Sequence, residues 1–374
     1  MAATDSRVGS VLAAALLLPG AAVHAESAPE QGIVELQALS YDDWQPGLQR
    51  IHVFAPSVYV LAPIGTRWSL EGSVVSDAVS GASPRYHSAI SGASRMSERR
   101  NAADATLTHY GDRDAWSLGL AYSNEHDYRS RAVSGNYRWS TEDNNRTWNV
   151  GLAYTDDAIG SSDDPSLGEQ RHTVQFTGGV TQAATARDLL QWSLSASVGN
   201  GYFSDPYKLP DIRPDHRNQF TSLLRWNHDL DGMNAALRSG WRYYADSFGV
   251  RASTFDAAWV QFFGDRFQLT PSLRYTTQRA AKFYFDPVYS TILGPPFPPG
   301  YDGQHPASAD QRLSAFGALS AGLRADWKID ARWHLDASYV RYEQRGDWRL
   351  GGHGSPGLAP FSAQWFELGV ACSF

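Results

Sequence analysis

From about residue 30 to the end of the chain, apolar and polar residues alternate in short runs. In the run 191–198, Trp192, Leu194, Ala196 and Val198 alternate with glutamine and serine. A two-residue period is typical of β-strands, because successive side chains of a strand point to opposite faces. After the first 25 residues, no apolar run approaches the roughly 20 residues of a membrane-spanning helix. The pattern therefore predicts an all-β chain.

About sixteen such runs can be counted, and most reach the roughly 9–11 residues that a tilted strand needs to cross a bilayer. Aromatic residues make up 13% of the chain, although its mean hydropathy of -0.39 is that of a polar protein. A membrane barrel reconciles the two values, since only every second strand residue faces lipid. The approximate runs are 31–41, 48–60, 67–79, 100–110, 115–126, 129–139, 146–155, 169–181, 188–199, 216–229, 235–247, 250–263, 267–279, 311–327, 332–344 and 361–374.

The connections between these runs alternate in length. Every second one is short and polar, at 111–114, 141–145, 229–233, 264–266 and 329–331, whereas long ones occur at 80–99, 156–168, 200–215, 280–310 and 345–360. Bacterial outer-membrane barrels have short periplasmic turns and longer extracellular loops. Residues 26–374 are therefore predicted to form one antiparallel up-and-down β-barrel in the cell outer membrane of a Gram-negative envelope, with both termini in the periplasm.

The first 25 residues have the features of a signal peptide. Arg7 precedes an apolar stretch at 11–18, and the small-residue pattern at 23–25 fits a cleavage site before Glu26. A short membrane anchor is the alternative interpretation. Because the apolar stretch is well below spanning length, we expect cleavage and export.

Aromatic residues mark both the turns and the C-terminus. A tryptophan ring at the periplasmic interface is expected, since an indole combines an apolar body with a polar N–H. The last strand ends on an alternating stripe that resembles the assembly signal of outer-membrane barrels, so lipid and the barrel-assembly machinery are the expected partners. The predicted ring is Trp68, Trp116, Trp139, Trp148, Trp192, Trp226, Trp327 and Trp333; the stripe is Phe366, Leu368, Val370, Cys372 and Phe374.

No motif indicates a cofactor, a metal or nucleic acid. The net charge is -7, and Cys372 is the only cysteine, which excludes a CxxC or CxxCH motif. Four aspartates at 156, 157, 163 and 164 could bind calcium, but a solvated acidic loop is the preferred interpretation. Ser123 and His126 lie on opposite faces of one strand pattern, so a hydrolase is the least favoured function class.

Charged residues at inward positions are predicted to line the lumen. They could act as a selectivity filter, in which the arginines from Arg225 to Arg274 would favour anionic solutes. Alternatively, they could form an internal salt-bridge network that fills or stiffens the barrel. The residues are Glu71, Asp104, Arg225, Arg238, Arg242, Arg274, Arg324, Asp336 and Glu367.

The connection 280–310 is the longest and is rich in aromatic residues and proline. Long loops of this kind are usually functional or disordered. We expect it to fold inward and to restrict the lumen, with a mobile extracellular loop as the alternative. The constriction residues would be Phe283, Tyr284, Phe285, Phe297 and Tyr301.

Several segments together resemble a domain-of-unknown-function family of proteobacterial outer-membrane β-barrel proteins. They are Asp77–Pro84, Tyr122–Ser130, Gly201–Lys208, Trp241–Asp246 and Ala307–Leu313. The resemblance covers nearly all of the mature chain and implies a barrel; the family carries no established activity and therefore supplies no catalytic residues. It also implies genes nearby for a thioredoxin-like protein, a flavin transferase and a small secreted protein.

Two main functions follow from these observations. A porin-like pore or channel for small solutes is expected first. The alternative is a barrel scaffold for a small periplasmic redox partner, bearing flavin or haem, that carries electrons across the outer membrane. An outer-membrane enzyme comes last.

Overall fold

The computed structural model describes residues 27–84, 93–286 and 290–374, and side chains are described in these ranges except at 79–98. Within them, sixteen antiparallel strands close into one barrel, and two further short strands pair with each other. The predicted all-β barrel and its strand number are confirmed. No described helix is long and apolar enough to cross a membrane. The predicted signal peptide, 1–25, lies outside the described residues.

The barrel strands follow one another around the wall in chain order. They are β1 (Ile33–Gln45), β2 (Leu48–Ile64), β3 (Trp68–Pro84), β4 (Ala93–Tyr110), β5 (Asp114–Asn124), β6 (Tyr128–Ser140), β7 (Arg146–Ile159), β8 (Glu169–Ala183), β9 (Asp188–Gly201), β11 (His216–Leu230), β12 (Ala235–Asp246), β13 (Arg251–Phe263), β14 (Phe267–Arg279), β16 (Phe316–Lys328), β17 (Trp333–Arg345) and β18 (Phe361–Ser373). The short pair is β10 (Asp211–Ile212) and β15 (Ala307–Ser308).

Two predicted boundaries were wrong. The connection assigned to 80–99 is shorter, because the β3–β4 ladder continues to the pair Pro84 and Ala93. The run assigned to 311–327 begins with a 3₁₀ turn at Gln311–Leu313, and its strand starts only at Phe316. The carboxylate of Asp310 caps this turn by accepting a hydrogen bond from the backbone N–H of Arg312.

The two faces of the wall differ in polarity. Large apolar side chains lie on the outer face at alternate positions and stay exposed, for example Leu120, Leu152 and Leu273, each 59% exposed. Their neighbours in sequence point inward and are mainly small or polar. In lipid every backbone N–H and C=O must be paired within the protein, which a closed barrel achieves. The chain is therefore an outer-membrane barrel.

The predicted tryptophans lie at the strand ends beside the short turns. The seven from Trp116 onward are between 36% and 50% exposed. Trp68 packs edge-on against Trp116 at 5.3 Å between ring centroids, and Trp139 stacks on Trp148 at 6.5 Å. These contacts give the barrel an aromatic belt at its periplasmic rim.

The first and last strands close the barrel. β1 and β18 pair from Ile33 with Ser373 to Trp44 with Ser362. Beyond this ladder, Gly32 and Phe374 exchange two backbone hydrogen bonds of 2.9 Å. The Phe374 ring occupies the space where a Cβ on residue 32 would stand. The terminal aromatic thus covers the backbone at the seam.

We predict that Phe374→Ala lowers the folded fraction of the protein in the outer membrane, because the ring no longer covers the seam at Gly32. Folded protein is measured as the heat-modifiable band on a gel. Cys372→Ala, on the same outward stripe, is the matched control. Equal folded fractions for both variants and the parent, at several expression strengths, would contradict this role for Phe374.

Candidate functional site in the barrel lumen

A group of arginines lies on the inner wall of β11, β12 and β14. Arg225, Gly240, Asp256 and Arg274 occupy one row across four adjacent strands. Arg242 lies two residues beyond Gly240 on β12, and Arg238 lies two residues before it. All point away from outward neighbours such as Trp241 and Phe255. The register therefore joins four arginines, predicted separately as lumen residues, into one basic wall.

The basic wall contains few counter-charges. Among the described residues, no carboxylate forms an ion pair with Arg225, Arg238, Arg242 or Arg274. Arg225 donates a long hydrogen bond of 3.4 Å to Gln191, and the other three side chains are exposed. Asp256 is the one acid in the row, and its carboxylate lies over Gly240, where any Cβ would meet it. These guanidinium groups are therefore available to an anion in the lumen.

The opposite wall carries two carboxylates, Glu71 and Asp104, and Arg138 lines the same cavity as they do. β3 lies eight strands from β12 in either direction around the barrel, so Glu71 faces the basic wall. Tyr59 donates a 3.0 Å hydrogen bond to Glu71, and Ser73 donates one to Asp104 on β4. A cavity of about 150 Å³ borders Glu71 and Asp104.

The two walls lie at matched depth. Glu71 is three residues from the periplasmic end of β3, as Arg238 is on β12. Asp104 is six residues from the periplasmic end of β4, and Arg225 is five residues from that of β11. Opposite charges thus face each other across the periplasmic half of the lumen.

The other predicted lumen residues form an internal network. Arg324 binds Asp326 at 2.9 Å and Asp336 at 3.3 Å, while Glu367 accepts a 3.1 Å hydrogen bond from Ser338. The structure therefore divides the nine predicted residues. Arg324 and Asp336 belong to an ion-pair network, whereas the four arginines of the basic wall form no ion pair among the described residues.

The base of the long loop packs inside the extracellular mouth. Phe283 contacts Phe248 edge-on at 5.1 Å, and the guanidinium of Arg217 lies 4.7 Å from the centre of the Phe248 ring. Arg217 and Tyr244 occupy inward positions of β11 and β12. Phe283 and Tyr284 both pack against the buried apolar cluster that contains Phe203 and Phe248. We call the segments 281–285 and 307–313 the loop base.

Buried ion pairs fasten the loop base to the connection 202–215. Arg213 binds Asp211 at 2.9 Å and Asp310 at 2.8 Å, and Arg312 binds Asp205 at 2.7 Å. The side chains of Asp211 and Asp310 are fully inaccessible to solvent. Burial raises the pKa of Asp211, since the charged form loses its hydration. The short pair β10 and β15 adds backbone hydrogen bonds beside these charges.

The rest of the long loop forms a separate tip. Phe297 stacks on Tyr301 at 4.9 Å, and Ser290 donates a 2.8 Å backbone hydrogen bond to Phe297. Phe285 bonds through its backbone to Ser308 at 3.1 Å. The five predicted constriction residues are therefore not one cluster. Phe283 and Tyr284 belong to the apolar cluster of the loop base, Phe285 is joined to that base through its backbone, and Phe297 and Tyr301 pack on each other.

Sequence reasoning missed the buried charges of the loop base. Arg312 and Asp205 are 107 positions apart, and no periodicity links them. Asp256, in contrast, has the inward phase of β13 and could have been found from the alternation. The segments Gly201–Lys208 and Ala307–Leu313, noted above for their family resemblance, meet through Arg312 and Asp205. Tyr122–Ser130 also joins them, through a hydrogen bond from Tyr207 to Asp127.

The remaining sequence candidates lie apart. Asp157 points inward and binds Arg171 at 2.8 Å, whereas Asp156 points outward and lies 3.0 Å from His172. Within the described ranges, no group of three or more His, Cys, Asp or Glu side chains could hold a metal ion.

A family model described as "Protein of unknown function (DUF3570)" matches residues 92–168 and 160–365. The chain belongs to this family. The DUF3570 match includes the basic wall and the loop base, and its residues extend from β4 to β18. No curated protein matches the DUF3570 chain in sequence.

Solved structures of low sequence identity share the barrel. The siderophore receptor PirA from Pseudomonas aeruginosa is 10% identical, with a TM-score of 0.45; this chain is covered to 86% and spans 57% of the receptor. A Pseudomonas aeruginosa FadL homologue is 12% identical, with a TM-score of 0.42; the match covers 91% of this chain and 89% of the homologue. The CymD monoaromatic hydrocarbon channel is 8% identical, with a TM-score of 0.44; the match covers 92% of this chain and 89% of CymD.

We predict that Asp310→Ala detaches the loop base, because Arg213 and Arg312 lose a carboxylate they share in a buried site. Breaking a buried ion pair costs about 3–5 kcal/mol. The loop should then be cleaved much faster by trypsin at Lys282 or Arg312, while the barrel stays heat-modifiable. Asp302→Ala, at the exposed loop tip, is the control. Equal cleavage rates for the two variants would contradict the proposed anchoring.

Proposed function

We propose that this outer-membrane barrel is a passive channel for small polar solutes, restricted at its extracellular mouth by the loop base. The opposed basic and acidic walls at matched depth are the observation that carries the proposal. A barrel of about 16 strands is wide enough to leave an aqueous channel unless something fills it. Among the described residues these charges form no ion pair, which suits a water-filled passage better than a packed interior.

The charge arrangement suggests how solutes would be selected. Facing walls of opposite sign produce an electric field across the lumen, and rings or clusters of charged side chains set selectivity in pores. Arg225, Arg242 and Arg274 would attract the anionic groups of a solute, whereas Glu71 and Asp104 would attract its cationic groups. The expected solutes are therefore small anions and zwitterions.

Replacing residues 283–308 by a four-residue Gly/Ser linker should raise single-channel conductance in planar bilayers about twofold or more, because the mouth loses the aromatic side chains of Phe283 and Tyr284 that pack there. A short linker can join Lys282 to Ala309, since Phe283 and Ser308 are hydrogen-bonded at 3.0 Å. The control replaces only the tip, 291–305, by the same linker and should conduct like the parent. If the 283–308 replacement folds and conducts like the parent, the aromatic segment 283–285 and the loop that it begins are not the restriction. If neither the parent nor this variant conducts, the redox-scaffold alternative is favoured instead.

The triple variant Arg225→Gln, Arg242→Gln and Arg274→Gln should shift the reversal potential in a salt gradient towards cation selectivity, because the acidic wall then dominates the field. The control, Arg129→Gln with Arg131→Gln, removes charge from the outer face of β6, opposite outward residues such as Tyr122. An unchanged reversal potential in the triple variant would contradict a selective role for the basic wall.

A further inference from the structure

Two arginines stand side by side on the outer face of the barrel. Arg251, the first residue of β13, pairs directly with Arg279, the last residue of β14. Phe255 and Tyr275, which pair four residues further along the same strands, point outward, so Arg251 and Arg279 point outward as well. Both arginines are exposed. They lie at the extracellular ends of their strands, where the short periplasmic turns are farthest away.

This pair is unfavourable as it stands. Like charges directly opposite in an antiparallel ladder repel each other and destabilise the sheet. Across the described part of the chain, neither guanidinium has an ion pair or a side-chain hydrogen bond. An anion placed between them would remove the repulsion and satisfy several N–H donors at once.

A third cation lies beside the pair. The side chain of Lys282 is exposed and runs over Gly249, where any Cβ would meet its Cγ. Its backbone N–H is held by the carbonyl of Phe248 at 2.8 Å. The aliphatic part of the Lys282 side chain is thus held over Gly249, which precedes Arg251 by two residues at the rim of the barrel.

An apolar surface adjoins the three cations. The backbone of Leu350 exchanges hydrogen bonds of 3.0 and 3.3 Å with the hydroxyl of Thr277, and Tyr275 donates to the carbonyl of Trp348. This segment therefore lies against the outer face of β14, next to Arg279. Leu350 is 63% and Trp348 is 38% exposed there. The acid on this segment, Asp347, forms no ion pair with either arginine among the described contacts.

We propose that Arg251, Arg279 and Lys282 bind the phosphate of a lipid in the outer leaflet, and that Trp348 and Leu350 pack against its acyl chains. Arginine pairs recognise phosphate by bidentate hydrogen bonds, and basic residues at a membrane surface attract anionic headgroups. A free anion would use the cations but would leave the apolar surface in water. The two arginines lie on the outer face of the barrel, outside the lumen, so substituting them tests the lipid site separately from the proposed channel function.

The test measures binding of bisphosphorylated lipid A to the purified full-length barrel in detergent by native mass spectrometry. Arg251→Gln with Arg279→Gln should weaken binding about tenfold or more, and Arg251→Lys with Arg279→Lys should weaken it less, because lysine keeps the charge and loses the bidentate donors. The control is Arg266→Gln with Arg332→Gln, at exposed positions of two periplasmic turns; it should bind like the parent. All variants are first checked for heat-modifiable folding.

Three results would overturn the proposal. Equal lipid binding by the parent and the Arg251/Arg279 glutamine variant would show that these arginines do not form the site. Equal binding of lipid A stripped of its phosphates would show that the contact is apolar only. Competition by inorganic phosphate at concentrations close to those of the lipid would show a site for soluble anions instead.

Discussion

Inside a bilayer no water is available to pair with backbone N–H and C=O groups, so the ladder between β1 and β18 is the contact on which the rest of the barrel depends. Without it, two strand edges would face lipid with unpaired polar groups, each costing several kcal/mol. The ladder joins residues more than 300 positions apart, which makes it the most non-local pairing in the wall. The covering of Gly32 by Phe374 protects the end of this seam.

Closure also fixes where the loops can go. Because the wall is continuous, the connection 202–215 and the base of the long loop are held above the same opening, and they fill part of it together. Their contacts combine an apolar cluster around Phe248 with ion pairs around Asp310. Buried ion pairs contribute little net stability but specify geometry, since a displaced partner would leave a charge buried alone. The ion pairs therefore hold the loop base in one position at the mouth of the barrel.

Arginine has different surroundings on the two sides of the wall. In the proposed water-filled lumen, the side chains of Arg238, Arg242 and Arg274, which form no ion pair among the described residues, would be hydrated at modest cost. On the outer face, a charge in the hydrocarbon region would cost roughly 2–4 kcal/mol at the midplane and little near the interface. Arg251 and Arg279 stand at the strand ends, where that cost is lowest and anionic headgroups are close.

The sequence by itself determined the barrel, because the two-residue period and the alternation of short and long connections are local signals that need no knowledge of distant contacts. It also determined which side chains of each strand point inward. Arg225, Arg242 and Arg274 are therefore on the lumen face of the wall, as Glu71 and Asp104 are. Only the tertiary structure decided which residues meet. Cross-strand register unites the basic wall with Asp256, and closure sets β3 opposite β12. The loop base joins Asp205 to Arg312 and separates Phe283 from Phe297. Such contacts depend on strand registers and loop paths that no local sequence pattern encodes. Bringing these distant residues together costs loop-closure entropy, and only packing in the completed barrel offsets that cost.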